Sequence, residues 1–243
     1  EAFLGEVNAG CPPLDLSLDQ VQLINTGLTL FGEEGQQAQG AMSFGKRSML
    51  IDHSHEHGLQ GILTLIGVRA TTARGMSQKA IDLVLKRLNR PSIPSKSADA
   101  LIYGGDIPAM QAHIQELQQQ ISGLISPHRF QLMLHHYGTG IFQVLRYGTE
   151  RKELFSAIDH CNLIKAEIVH AIREEAAVTL SDVVFRRTDF ATGHLPAMDA
   201  LGQCAQTMAD ELGWDQVRIQ EEMNNVIQQF PNLSHKFRNG APK

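Results

Sequence analysis

The chain has 243 residues, 42% hydrophobic and 19% charged, with 21 Lys and Arg against 26 Asp and Glu and a formal net charge of −5 at pH 7. That composition supports a packed core and excludes wholesale disorder. The acidic balance excludes a nucleic-acid footprint spread over the whole chain, and no run approaches the ~20 apolar residues of a membrane span. The three cysteines, Cys11, Cys161 and Cys204, are scattered and odd in number. They make no disulfide framework and point to a reducing compartment. The first residue is Glu and no signal peptide precedes it, so the chain is expected to belong to something longer.

In chain order, the first ~95 residues read as mixed α and β. Val21 to Phe31, Ser48 to Ser54 and Gly61 to Ile66 have strand length and strand composition between turn residues. Gly32 to Gly45, with four glycines among Glu and Gln, reads as a loop. From Thr72 to Arg90 the pattern changes: Met76, Ala80, Val84 and Leu88 recur at helical spacing, with Ile81 and Leu85 widening the stripe, and Pro91 ends the helix.

Pro91 to Ser97 (PSIPSKS) reads as a linker. Beyond it, helices are expected at 108–121, 127–136, 139–147, 150–159, 161–177, 180–187, 196–212 and 215–229. Thr179 to Asp182 resembles a capping box, Gly213 suits a helix C-terminus, and Asp215 suits the cap of the last helix. The expected fold class is α+β, mainly α: residues 1–95 as one domain, 96–230 as a helical domain, and 231–243 as a polar tail.

The most informative segment is Ile62 to Arg74, a buried strand, a turn at Gly67 and a helix opened by hydroxyl residues. Such a junction presents unpaired N–H groups and the positive end of the macrodipole, which suits an anion. Its plain alternative is a strand–helix junction with Thr caps. His53-Ser-His55-Glu-His57 draws attention as a metal site, because alternate histidines on an extended strand share one face. A solvated His-rich turn is the preferred reading, and no metal is assigned. Glu174, Glu175, Arg186 and Arg187 read as ion pairs locking two helices. His135-His136 read as a helix end, Cys161 and Cys204 as core, and Trp214 as an anchor beneath a helix start.

Taken together, several segments resemble the FAD-dependent glycerol-3-phosphate dehydrogenases. Gly61–Arg74 resembles that family's GGKLTTYR motif, and Thr26–Leu30 and Lys46–Ser48 sit where it carries aGvRPL and sRd. Leu101–Asp106 resembles LpGGd and Tyr137–Thr139 resembles YGs. Glu167–Glu175 and Thr179–Thr188 resemble Ev.yav..E and tl.DvL.RRT. The match runs in order from about residue 3 to 230. It covers the C-terminal half of such an enzyme, the last piece of the flavoprotein α/β domain followed by the all-helical domain. The dinucleotide G-x-G-x-x-G of the family's other half does not occur in this sequence.

The resemblance implies an oxidoreductase in which a hydride passes from C2 of glycerol 3-phosphate to FAD and electrons pass on to a quinone. It implies a cytoplasmic protein peripheral to the inner membrane. Arg47 and Arg69 match positions that hold the substrate phosphate; their plain alternative is surface arginine. Gly67, Ala70, Thr71 and Thr72 match positions near the flavin, and no residue is singled out as catalytic. The sequence departs from the pattern at Thr29, Leu30, Val68, Arg69 and Ala73, which implies a divergent member. FAD is expected in the longer protein and not on this chain alone. The competing readings are a non-catalytic helical interaction module and a His-based metalloprotein. Exposed sheet edges make a homodimer the expected oligomer.

Overall fold

A computed structural model describes residues 2–25, 48–67 and 69–230. It divides the chain into two compact units, Glu1–Asn25 with Ile102–Lys243, and Thr26–Leu101. The fold is mainly helical α+β.

The first unit opens with α1 (Ala2–Gly10), a helix for which the sequence gives no strong periodic signal. Residues 21–25, the start of the first expected strand, adopt no regular structure, and the rest of that strand lies outside the described residues. The unit resumes at residue 102 with α4 (Gln111–Gln120), α5 (Pro127–Tyr137), α6 (Ile141–Glu150), α7 (Lys165–Glu175), α8 (Leu180–Asp182), α9 (Met198–Leu212) and α10 (Gln216–Ile227). The caps explain the boundaries. Ser126 accepts the Arg129 N–H ahead of α5, and Asp215 accepts the Arg218 N–H at 2.8 Å ahead of α10. Thr179 and Asp182 cap each other's backbone at α8. The α8 turn continues as a π-helical turn over Val183–Arg187.

The helix expected at 150–159 does not form. Arg151 turns extended, Lys152–Phe155 make a short 3-10 turn, and Ala157 then bridges Ile164 antiparallel. In this reversed path Leu154, Phe155 and Ile158 are all buried. The same reversal moves the start of the next helix from 161 to Lys165. Arg129 grips it, donating to the Asn162 and Cys161 carbonyls at 3.0 Å each.

Two apolar clusters fill the unit, and α7 contributes to both. Ile168 and Ala171 pack with Leu180, Val184, Leu201, Met208 and Phe230, while Ile164 and Val169 pack with Phe130, Met133, Val144 and Leu145. Burying both sides of α7 also buries two polar side chains, Glu167 and His170. Glu167 Oε2 accepts the Ile164 N–H at 2.9 Å, so the carboxylate caps its own helix. Burial pushes its pKa up to about 7, opposed by the hydrogen bonds from Ile164 and Tyr137. A second buried carboxylate, Glu222 of α10, accepts the Leu180 N–H at 2.8 Å and pairs with Arg218 at 2.5 Å, tying α10 to the start of α8. Arg173 meets Glu211 with two hydrogen bonds, at 2.9 and 2.7 Å, and Arg151 joins the same carboxylate.

One glycine contact ties distant segments together. Gly138, at φ 54°, lies so close to Gly104 that a side chain there would collide with the Gly104 carbonyl, and the Thr139 N–H donates to that carbonyl at 3.0 Å. The two segments that resemble LpGGd and YGs are therefore in contact.

The second unit contains an antiparallel hairpin of β1 (Met49–Asp52) and β2 (Leu63–Ile66), with Met49 opposite Ile66 and Asp52 opposite Leu63. Its link includes a single helical turn, α2 (His53–Glu56). After β2 a 3-10 turn (Ala70–Thr72) leads into α3 (Ala73–Arg87). The expected stripe of α3 buries Met76, half-buries Ala80 and Val84, and leaves Ile81 and Leu88 exposed.

Two expectations follow. Helices α7 and α9 end in the same left-handed conformation, with Ala176 (φ 56°) at one and Gly213 (φ 71°) at the other. Ala176 carries the strain that Gly213 avoids, so Ala176→Gly should stabilise the protein by about 1 kcal/mol, read as a raised denaturation midpoint. Unchanged or lowered stability would refute this. Glu167 titrates near 4.5 when unfolded and at about 7 in the fold, so the fold holds the proton more tightly. Its stabilising share is complete below about pH 4.5 and is lost as pH rises through about 7, a change of at most ~3 kcal/mol. Urea midpoints should fall across that window in the wild type and fall less in Glu167→Gln; equal slopes would show that Glu167 is not the titrating group.

Candidate functional site

The strand, turn and helix follow the expected order, with two differences. The strand is not buried: Leu63, Thr64 and Ile66 are half-buried and Leu65 is exposed. Gly67 follows β2 at φ 67°, and its carbonyl accepts the Ser48 hydroxyl at 3.1 Å across the hairpin. The threonines do not cap α3. Thr72 instead folds back on Arg69: its N–H donates to the Arg69 carbonyl at 2.9 Å, and its hydroxyl lies 3.2 Å from that carbonyl and 3.3 Å from the Arg69 N–H. The hydroxyl of Thr72 therefore closes a 3-10 turn ahead of α3, and no side chain caps α3 itself. Gly67, Arg69, Ala70, Thr71 and Thr72 line this junction, and Arg69 to Thr72 are exposed. The positive end of a 15-residue helix thus follows an exposed turn that begins at Arg69. Arg47, the other candidate for phosphate, lies outside the described residues, as do Thr29, Leu30 and Val68. Ala73, where the resembled motif has tyrosine, is the first residue of α3 and half-buried.

The His-rich segment differs from a strand. It forms the one-turn helix α2, which brings His53 and His57 together with their Nδ1 atoms 3.0 Å apart. His55 turns instead to the Arg87 guanidinium. Asp52 caps α2 by accepting the Ser54 N–H at 3.0 Å and pairs with Arg87 at 2.6 Å. The Ser54 hydroxyl and that arginine hold its carboxyl at about 2, below the usual range.

The charged residues of α7 and the π-helical turn pair otherwise than as a single lock. Arg186 pairs with Asp182 of its own turn at 2.7 Å, and Glu174 accepts the Tyr147 hydroxyl at 2.7 Å. Of the two arginines, Arg187 reaches across, to Glu175 at 3.9 Å. The tighter tie between helices is the Arg151–Glu211–Arg173 cluster, whose partners lie far apart in sequence and carry no local signal.

A small cleft in the helical unit has Glu167 and Tyr137 among its walls, with His136, Asn162, Thr188 and Asp189. At about 30 Å³ it has room for one or two waters, and neither a substrate nor a flavin fits. Burial, reinforced by Glu167, pushes the Tyr137 phenol well above its ordinary range. His170 is held below its ordinary value by burial, and its Nδ1 has no partner. Cys204 is buried on α9 and burial raises its thiol, as it does that of Cys161, which sits in the turn before α7 rather than on a helix. Neither is a poised nucleophile. Trp214 is half-buried against the core just before α10, with the Arg218 guanidinium 5.9 Å from its ring centre.

Comparison with known proteins accounts for this arrangement of motifs. Residues 95–219 match the sequence pattern described as the C-terminal domain of alpha-glycerophosphate oxidase. Among curated proteins, the chain is 25% identical over 230 residues to a glycerol-3-phosphate dehydrogenase of Synechocystis, covering 94% of this chain and 40% of that protein. It is 26% identical over 173 residues to the mitochondrial glycerol-3-phosphate dehydrogenase of Mus musculus (68% of this chain, 23% of that protein). It is 27% identical over 180 residues to glycerol-3-phosphate dehydrogenase 2 of Mycobacterium bovis (72% and 31%). The chain thus spans at most two fifths of the length of these relatives. With just over half of its residues matched to that pattern, the chain belongs to the family of the C-terminal domain of alpha-glycerophosphate oxidase, as a divergent C-terminal region related to the glycerol-3-phosphate dehydrogenases.

Proposed function

We propose that this chain is the C-terminal portion of an FAD-dependent oxidoreductase that converts glycerol 3-phosphate to dihydroxyacetone phosphate and hands the electrons to a quinone. The observation that carries the reading is the exposed turn Arg69–Thr72 at the start of α3, a helix that no side chain caps, in a chain of this family. The donor set fits the anionic edge of a flavin. A helix N-terminus favours negative charge by about 0.3–2 kcal/mol, depending on burial. FAD, when bound, supplies the hydride acceptor.

The chain's own residues have narrower tasks in this reading. Gly67, Ala70, Thr71 and Thr72 shape the surface that faces the flavin, and Arg69, with Arg47, holds the substrate phosphate through charge-assisted hydrogen bonds. The sequence contains no G-x-G-x-x-G, so the pyrophosphate cradle is supplied by another stretch of polypeptide. Among the described residues no helix is long and apolar enough to cross a membrane. In this reading the quinone is met at a bilayer surface. The 30 Å³ cleft at Glu167 is too small to hold glycerol 3-phosphate or a flavin.

The test uses the longer protein that carries this chain. Anaerobic glycerol 3-phosphate should bleach its flavin, and Arg69→Ala should raise KM by roughly 10- to 100-fold, the loss of one desolvated charge-assisted contact, with flavin content unchanged. A flavin-loaded protein that glycerol 3-phosphate leaves oxidised overturns the substrate assignment and favours an interaction module. An unchanged KM overturns the role of Arg69. The isolated chain should bind FAD weakly or not at all, and micromolar binding would place the cradle within these 243 residues after all.

A further inference from the structure

We propose that His53 and His57 form a two-imidazole pincer for a late divalent transition metal, Ni²⁺ or Cu²⁺. The helical turn α2 sets the two residues four apart on one face, with their Nδ1 atoms 3.0 Å from each other and the ring centroids 5.0 Å apart. Two imidazole nitrogens about 2.05 Å from one ion lie about 2.9 Å apart at a right angle and about 3.4 Å apart in a tetrahedron. The 3.0 Å separation is that of an N–H···N hydrogen bond in the metal-free protein; an ion replaces that bond once each ring turns its lone pair toward it, and the general affinity order of divalent metals puts Cu²⁺ above Ni²⁺ and Zn²⁺ at such a pair.

The surroundings orient the two rings. His53 Nε2 lies 2.8 Å from the Thr64 hydroxyl on β2. When the imidazole donates there, its Nδ1 carries a free lone pair directed at His57. Such an outer partner fixes tautomer and ring orientation in metal-ligating histidines. The backbone is fixed on both sides: the His57 N–H donates to the His53 carbonyl at 2.9 Å, and the His53 N–H donates to the Ile62 carbonyl at 3.2 Å. With His53 donating to Thr64, the hydrogen bond between the rings runs from the His57 Nδ1–H to the His53 Nδ1 in the metal-free protein. In the metal-bound protein His57 switches to its other neutral tautomer, so both imidazoles stay uncharged. Water completes the coordination. His55 is excluded by its contact with Arg87, which distinguishes this site from an unstructured histidine run, where any two of the three serve equally.

The test is equilibrium dialysis of the untagged 243-residue chain against Ni²⁺, repeated with Cu²⁺ and Zn²⁺, with far-UV circular dichroism to establish that each variant is folded. One equivalent of Ni²⁺ should bind the wild type and His55→Ala alike, and Cu²⁺ should bind more tightly than Zn²⁺. His53→Ala and His57→Ala should each lose that equivalent, and Thr64→Val should weaken it about 10-fold by releasing the His53 ring. Metal should raise the thermal midpoint of the wild type and not that of His57→Ala. Equal loss in His55→Ala, or equal uptake by the wild type and the His53→Ala/His57→Ala double variant, overturns the pincer. This site is independent of the redox reading, and neither outcome alters the flavin experiment.

Discussion

The helical unit depends on one constraint: α7 is walled in on both sides. A surface helix needs a single apolar stripe, but α7 and its N-cap send Ile164 and Val169 into one cluster and Ile168 and Ala171 into the other. The residues left between those stripes, Glu167 and His170, have no solvent face to occupy. Glu167 resolves this by capping its own helix through the Ile164 N–H, at the cost of a carboxyl pushed up to about 7. His170 resolves it less completely: its Nδ1 is buried without a partner while Nε2 lies 3.9 Å from Glu175. Fully apolar residues at these two positions would relieve the polar cost but would leave the Ile164 amide at the start of α7 without its acceptor.

The ties around α7 follow from the same geometry. A helix enclosed on two sides is held in rotation by packing, so polar partners at its C-terminal end occupy fixed places in space. Arg173 uses this to meet Glu211 of α9 with two hydrogen bonds, and Glu174 to accept the Tyr147 hydroxyl of α6. Glu211 is itself nearly buried, with 6% of its side chain exposed, so its two arginines neutralise a charge that could not otherwise sit there. Glu222 acts in the same way between α10 and α8, holding Arg218 with one oxygen and the start of α8 with the other.

Local chemistry is what the sequence makes legible. Caps and stripes locate α5, α9 and α10 to within about two residues, and Gly67 as the turn before α3, because those signals act over a few residues. What escapes depends on partners far along the chain. The stretch 150–159 has helical composition, but the Ala157–Ile164 bridge redirects it. Glu211 carries no mark that Arg151 and Arg173 will find it. The contact of Gly104 with Gly138 explains why two motifs distant in sequence both need glycine, yet each motif alone shows only a turn. The histidine run misleads through its period: strand spacing pairs His53 with His55, whereas a single helical turn pairs His53 with His57.

The two units differ in what holds them. Among the described residues of the second unit, Met76 is the one buried side chain, while Ile81, Leu88, Ile93 and Leu101 stand 58–70% exposed. A two-stranded hairpin is marginal by itself in water, and the polar ties that brace this one, Arg87 to Asp52, His53 to Thr64 and Ser48 to Gly67, are partly exposed and therefore weak. The positive end of α3 and Arg69 sit on this lightly held unit, not on the enclosed helices around α7. A site of that kind gains precision when its apolar surface is covered, because burial near 25 cal/mol per Å² quickly exceeds what the surface ties supply. The electrostatics of the junction are written in the local sequence, whereas Ile81 and Leu88, exposed on the same helix, contribute little packing to hold it.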